Sequence, residues 1–225
     1  MIHTIRTLAL VAACASIVSA QTQALGKGRF EAVEPTAQIP RDYRSWSLFL
    51  ICNPAWIVQN GETGIPELYR QYKAFGDAIG PRNLAIWFWK QSANAPSADL
   101  TDVSRSSQYC EKYKLLPSES PFVLITTQYP DEANVGDRYI VKLGGLDAKE
   151  SALALAKLTD QILVTGLNQK DLDARDRWQR MLVATRNAVS MAGCYFNKVS
   201  FSLKTRVLAV EIAHTKENKG PSNGC

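Results

Sequence analysis

The reactive side chains of this 225-residue chain are few: five cysteines and two histidines. Cys52 is the sharpest chemical candidate. It closes the apolar run Trp46–Cys52 (WSLFLIC) and is followed at once by Asn53-Pro54. A thiolate there would be a single nucleophile at the end of a strand. Buried, it would be an inert core residue or half of a disulfide, and the burial typical of free cysteine favours these readings. Cys110 falls on the inward stripe of a helical segment and reads as core. Cys52, Cys110, Cys194 and Cys225 together permit three complete disulfide pairings, and their spacing does not choose among them. A bond at Cys225 would pin the last residues of the chain.

Histidine removes several chemistries. A zinc site needs three or four closely spaced His, Cys or carboxylate ligands, and no Cys-x-x-Cys, His-Glu-x-x-His or His-x-Glu pattern occurs. A Ser-His-Asp or Cys-His hydrolase would have to use His214, beside the polar tail Lys216–Cys225, since His3 lies in the N-terminal leader. His214 reads as an exposed histidine after a strand. No Gly-x-Gly-x-x-Gly, Walker A or Gly-x-Ser-x-Gly motif is present, so nothing points to a bound nucleotide, cofactor or metal. The formal charge of +5 is spread over interspersed acids and bases, which is not the footprint of a nucleic-acid binder.

The first twenty residues read as a secretory signal peptide. Arg6 supplies the positive start, Leu8–Val18 is apolar but shorter than the roughly twenty residues a membrane span takes, and Val18-Ser19-Ala20 offers small residues for cleavage. Val11-Ala12-Ala13-Cys14 supports a competing reading, a lipobox in which Cys14 carries a lipid anchor. The apolar run continues past Cys14, which favours the soluble form. Export places the chain outside the cytoplasm, secreted or periplasmic, where disulfides persist; the alternative is an envelope lipoprotein.

The elements that would position these residues follow from periodicity. Residues 21–42 are polar with Pro35 and Pro40 and read as a linker. Trp46–Cys52 and Asn83–Trp89 (NLAIWFW) are near-continuous apolar runs, the pattern of strands covered on both faces. Asn60-Gly61 and Gly64 predict a loop, with Pro66 opening a helix whose stripe is Leu68, Tyr72, Phe75 and Ile79. Asp102 caps a helix bearing Val103, Ser107 and Cys110 inward. Phe122–Thr127 is a third strand. Arg138–Leu143 alternates and reads as an edge or half-exposed strand. Asp147 and Glu150 form a capping-box pattern before a helix carrying Leu153, Ala156, Leu158 and Ile162. Beyond Gly166, Asp171–Met191 is a helix candidate, and Phe196–Ala213 is either a bulged strand or a hairpin. Residues 215–225 read as a disordered tail.

The order strand, helix, strand, helix, strand, strand, helix resembles the thioredoxin-like superfamily over about residues 43–164. Its most specific piece is Tyr113-Lys114-Leu115 followed by Ser120-Pro121 at the head of a strand, the place of that family's cis-proline. Gly144-Gly145 before the next helix also fits. The resemblance implies a mixed sheet with flanking helices over 43–166, its first three strands parallel and the fourth antiparallel, with 167–214 as a C-terminal α+β extension. It also implies a Cys-x-x-Cys at the start of the first helix. Counting back from the next strand puts that motif at Thr63-Gly64-Ile65-Pro66, where no cysteine stands. Thr63 would then be a polar stand-in at a helix start, or simply a loop or capping threonine. Trp56, Trp87 and Trp89 could line a groove but are spaced as core, and Glu67 and Asp77 are spaced as a solvated helix face. The expectation is an exported, redox-inactive thioredoxin-like protein that binds or scaffolds an unidentified protein or peptide. The alternative is a single-cysteine thiol oxidoreductase or peroxidase-like enzyme using Cys52.

Overall fold

The computed structural model describes residues 29–91, 96–132, 136–169, 172–195, 199–204 and 209–213. Seven strands form one mixed sheet: β1 (Arg29–Val33), β2 (Ser45–Leu50), β3 (Asn83–Phe88), β4 (Phe122–Thr126), β5 (Arg138–Lys142), β6 (Ser200–Lys204) and β7 (Ala209–Ala213). Their spatial order is β1-β3-β2-β4-β5-β6-β7. Four helices cover it: α1 (Pro54–Ile79), α2 (Val103–Tyr113), α3 (Ala148–Thr165) and α4 (Ala174–Tyr195).

Every residue of β2, β3 and β4 is buried, as their continuous apolar character requires of strands covered on both faces. One face carries Phe49, Ile51, Ala85, Trp87, Val123, Ile125 and Tyr139 against α1, α3 and α4. The other carries Leu48, Leu50, Cys52, Leu84, Ile86, Phe88 and Leu124 against α2. Consecutive strand residues alternate between the two.

Several sequence expectations are corrected. Residues 29–33, read as linker, form β1, which pairs in parallel with β3, and Ile39 further along is 1% exposed. The predicted third parallel strand, β4, runs antiparallel to β2. The last turn of the preceding helix, α2, lies by the carboxyl end of β2, where Cys110 bonds Cys52. The chain therefore enters β4 at that end and runs back. Arg138–Lys142 is not an edge strand but an interior one between β4 and β5's other neighbour, β6. Of the two readings of Phe196–Ala213, the antiparallel pairing of β6 with β7 is that of a hairpin, and both strands continue the sheet.

The largest correction concerns α1, which starts at Pro54 and not at Pro66. Asn53 caps it, its side chain accepting a hydrogen bond from Ala55 N at 3.0 Å, and Pro54 occupies the first helical position, where its missing N–H costs nothing. Gly61 and Gly64 signal close approach rather than a loop. A Cβ on Gly64 would collide with the Cβ of Ala148 on α3, and one on Gly61 would stand 2.6 Å from the Cβ of Ala98. On α3 the capping box is present between Asp147 and Glu150, but the buried stripe is Ala152, Leu155, Leu158 and Ile162, while Leu153 is exposed.

Candidate functional site

Cys52 leaves β2 on the α2 side of the sheet and immediately precedes Asn53, the cap of α1. With the helix start moved to Pro54, the four residues at the strand-to-helix junction are Cys52-Asn53-Pro54-Ala55, not Thr63–Pro66. Cys52 thus stands where amide N–H groups and the helix dipole favour a thiolate. Thr63 lies inside α1, exposed, along an open polar cleft of about 460 Å³ shared with Asn60, Asp147 and Lys149.

Cys52 is not free. It is bonded to Cys110 of α2, 58 residues on, with Cα atoms 6.4 Å apart, a separation that a disulfide spans. α2 presents Cys110 because Asp102 caps the helix, accepting from Arg105 N at 2.9 Å. Ser106, Tyr109, Cys110 and Tyr113 then form its buried stripe. Lys114 ends the helix in the left-handed conformation, and Leu115 N bonds Cys110 O at 2.8 Å.

The third component is the entry to β4. The Ser120–Pro121 peptide bond is cis. Ser120 Oγ accepts a hydrogen bond from Cys52 N at 2.8 Å, tying the head of β4 to the end of β2. Pro121 O accepts from Leu143 N at 2.9 Å. Gly144 follows, where a Cβ would lie 2.6 Å from the backbone of Glu119, so only glycine fits. The disulfide, the cis-proline and this glycine turn therefore meet at one end of the sheet.

The site is closed. Cys52 is 4% exposed, Cys110 2% and Ser120 3%. Around α2 the phenols are held neutral: burial, more than any partner, pushes Tyr113 up to about 12, and burial followed by the Asp131 carboxylate pushes Tyr109 up further. A buried disulfide with this lining works first as a cross-link.

The remaining candidates separate. Trp87 and Trp89 are core, and Trp56 is buried with its indole N–H donating to Leu146 O at 2.9 Å. Glu67 pairs with Arg70 and accepts from Gln71 on the surface of α1, while Asp77 is exposed. Cys194 lies in α4; Cys14, Cys225, His3 and His214 lie outside the described residues. No group of three or more metal-ligating side chains occurs among the described residues, and no helix among them is long and apolar enough to cross a membrane. The Cys52–Cys110 pairing could not be found by spacing, because its partners sit on different elements. The chain matches no family model, no curated protein and no solved structure.

Proposed function

We propose that this chain is an exported, thioredoxin-like protein that acts by binding a protein or peptide rather than by dithiol exchange. The observation that carries the reading is the junction Cys52-Asn53-Pro54-Ala55. Its first cysteine is consumed in a buried bond to Cys110, and Ala55 stands where a local resolving thiol would be. The thioredoxin-like assignment is supported by the parallel pair β2 and β3, the antiparallel β4 and β5, and the cis Ser120–Pro121 bond at the head of β4. Periplasmic or secreted localisation is supported by the signal-peptide pattern of residues 1–20 and by a disulfide, which needs an oxidising compartment. The mass of the mature N-terminus tests cleavage after Ala20 against lipidation of Cys14.

The decisive experiment is electron transfer to a disulfide substrate such as insulin by the reduced, purified protein. No turnover above the background of free thiols supports the binding reading, and sustained turnover lost in Cys52→Ser overturns it. The second reading, thiol oxidoreduction through Cys52, is favoured by the position of that residue just before the α1 cap and beside cis-Pro121.

A further inference from the structure

Cys52 and Cys110 are bonded to each other and buried, which removes both from any other pairing. Of the three complete pairings that Cys52, Cys110, Cys194 and Cys225 permit, the one containing this bond joins Cys194 to Cys225. The topology shows that these two can meet.

Cys194 is the last residue but one of α4. The helix buries Met181, Ala184 and Ala188 and exposes Asn187, Ser190 and Met191. Position 194 follows those three exposed positions by seven, four and three residues. The helical period therefore sets it on the outward face of α4.

The chain then enters β6 at Ser200, six residues after Cys194. A chain extends by at most about 3.6 Å per residue, so these two Cα atoms lie within about 22 Å of each other. Ser200 is paired with Ala213, where β7 ends, and paired Cα atoms lie about 5 Å apart. The hairpin thus returns the chain to the end at which α4 stops. Cys225 follows Ala213 by twelve residues, a length that reaches about 40 Å. At most about 27 Å has to be crossed, so the connection closes with residues to spare.

Tethering also favours this pair over a bond between two molecules. A connection of this length holds its two thiols at an effective concentration in the millimolar range, well above that of a second copy in dilute solution.

We infer that Cys194 and Cys225 form a second disulfide, which ties residue 225 to α4 across the β6–β7 hairpin. The oxidant is a small-molecule disulfide of the glutathione class. One cysteine thiolate attacks a sulfur of that disulfide and expels the first glutathione thiolate. The other cysteine, deprotonated, attacks the protein sulfur of the mixed disulfide and expels the second. Two protein thiols thereby lose two protons and two electrons, and one glutathione disulfide becomes two thiols. In the cell the bond rests on the oxidising compartment proposed above, and not on the binding reading.

The test is peptide mass mapping of the full mature protein, reduced and then equilibrated with mixed reduced and oxidised glutathione. Free thiols are blocked with N-ethylmaleimide before digestion with trypsin. The buffer supplies the oxidant, so a negative result bears on this pairing and not on export. The expected result is that residues 187–198 and 220–225 are recovered as one linked pair that separates on reduction, neither carrying the blocking group. Cys225→Ser should expose one thiol, at Cys194, and Cys194→Ser one at Cys225, with the Cys52–Cys110 bond retained in both variants. Blocking groups on both Cys194 and Cys225 in protein whose Cys52–Cys110 bond has formed overturn the proposal. A reducible dimer linked through either residue, in place of the internal bond, overturns it equally.

Discussion

Reducing the Cys52–Cys110 bond isolates the contribution of one cross-link, since both sulfur atoms stay in place. The bond closes a loop of 58 residues, and the chain-entropy relation puts the stabilisation for such a loop at about 4 kcal/mol. For a chain of this size each kcal/mol corresponds to about 2–4 °C in Tm, so reduction should lower Tm by roughly 8–16 °C. The assay is guanidinium and thermal unfolding followed by tryptophan fluorescence, with and without reductant, on protein whose pairing has been mapped by mass. The Cys52→Ala/Cys110→Ala variant should lose somewhat more than reduction alone, because both sulfurs are buried and their removal also costs packing. A reduced protein within about 1 kcal/mol of the oxidised one would refute the cross-link argument, because that difference is far below the loop-closure value. Cys52 would then be held for chemistry rather than for stability.

Three further outcomes follow from the same structure. Asn53→Ala removes the cap of α1 and should cost about 1 kcal/mol in a denaturant melt, with Asn53→Asp close to wild type. Gly64→Ala should gain up to about 1 kcal/mol in helix propensity yet lose about 1–3 kcal/mol to overlap with Ala148, for a net loss that Ala148→Gly on the same chain relieves. Tyr113 has a folded-state pKa raised to about 12 over an unfolded value near 10. Its contribution is therefore complete below about pH 10 and drains away as pH rises towards 12. Buried Tyr72 and Tyr139, pushed up by desolvation, add to the same slope. Tyrosinate absorbance should thus appear together with loss of circular dichroism on alkaline titration, and ionisation well ahead of unfolding would contradict the burial of these phenols.

The parts of the fold that were legible in the sequence are those written by local rules. Trp46–Cys52, Asn83–Trp89 and Phe122–Thr127 are near-continuously apolar because both faces of their strands are covered. The caps at Asp102 and Asp147 are short-range hydrogen bonds between near neighbours in sequence. What escaped was set by partners distant along the chain. Gly61 and Gly64 look like a loop until Ala98 and Ala148 are seen against them. β1 looks like a linker because its pairing partner is β3, past the whole of α1. The candidate site divided the same way: Cys52 and Pro121 were visible from their local settings, whereas the mate of Cys52 depended on how α2 crosses the sheet.

The pairing of β1 decides which edge the sheet presents at this side. β3 carries Asn83–Phe88, six buried residues without a charge, a segment with the composition of an adhesive cross-β template. β1 lies along its outer side, from Arg29 against Leu84 to Val33 against Phe88, and replaces that edge with a shorter one bearing Arg29 and Glu31. Charge on an edge strand discourages a second chain from adding to the sheet. A protease that nicked the connection between Val33 and Ser45 would leave most of the core intact yet uncover the apolar edge. The short strand β1 thus covers the uncharged flank of β3 with a charged one.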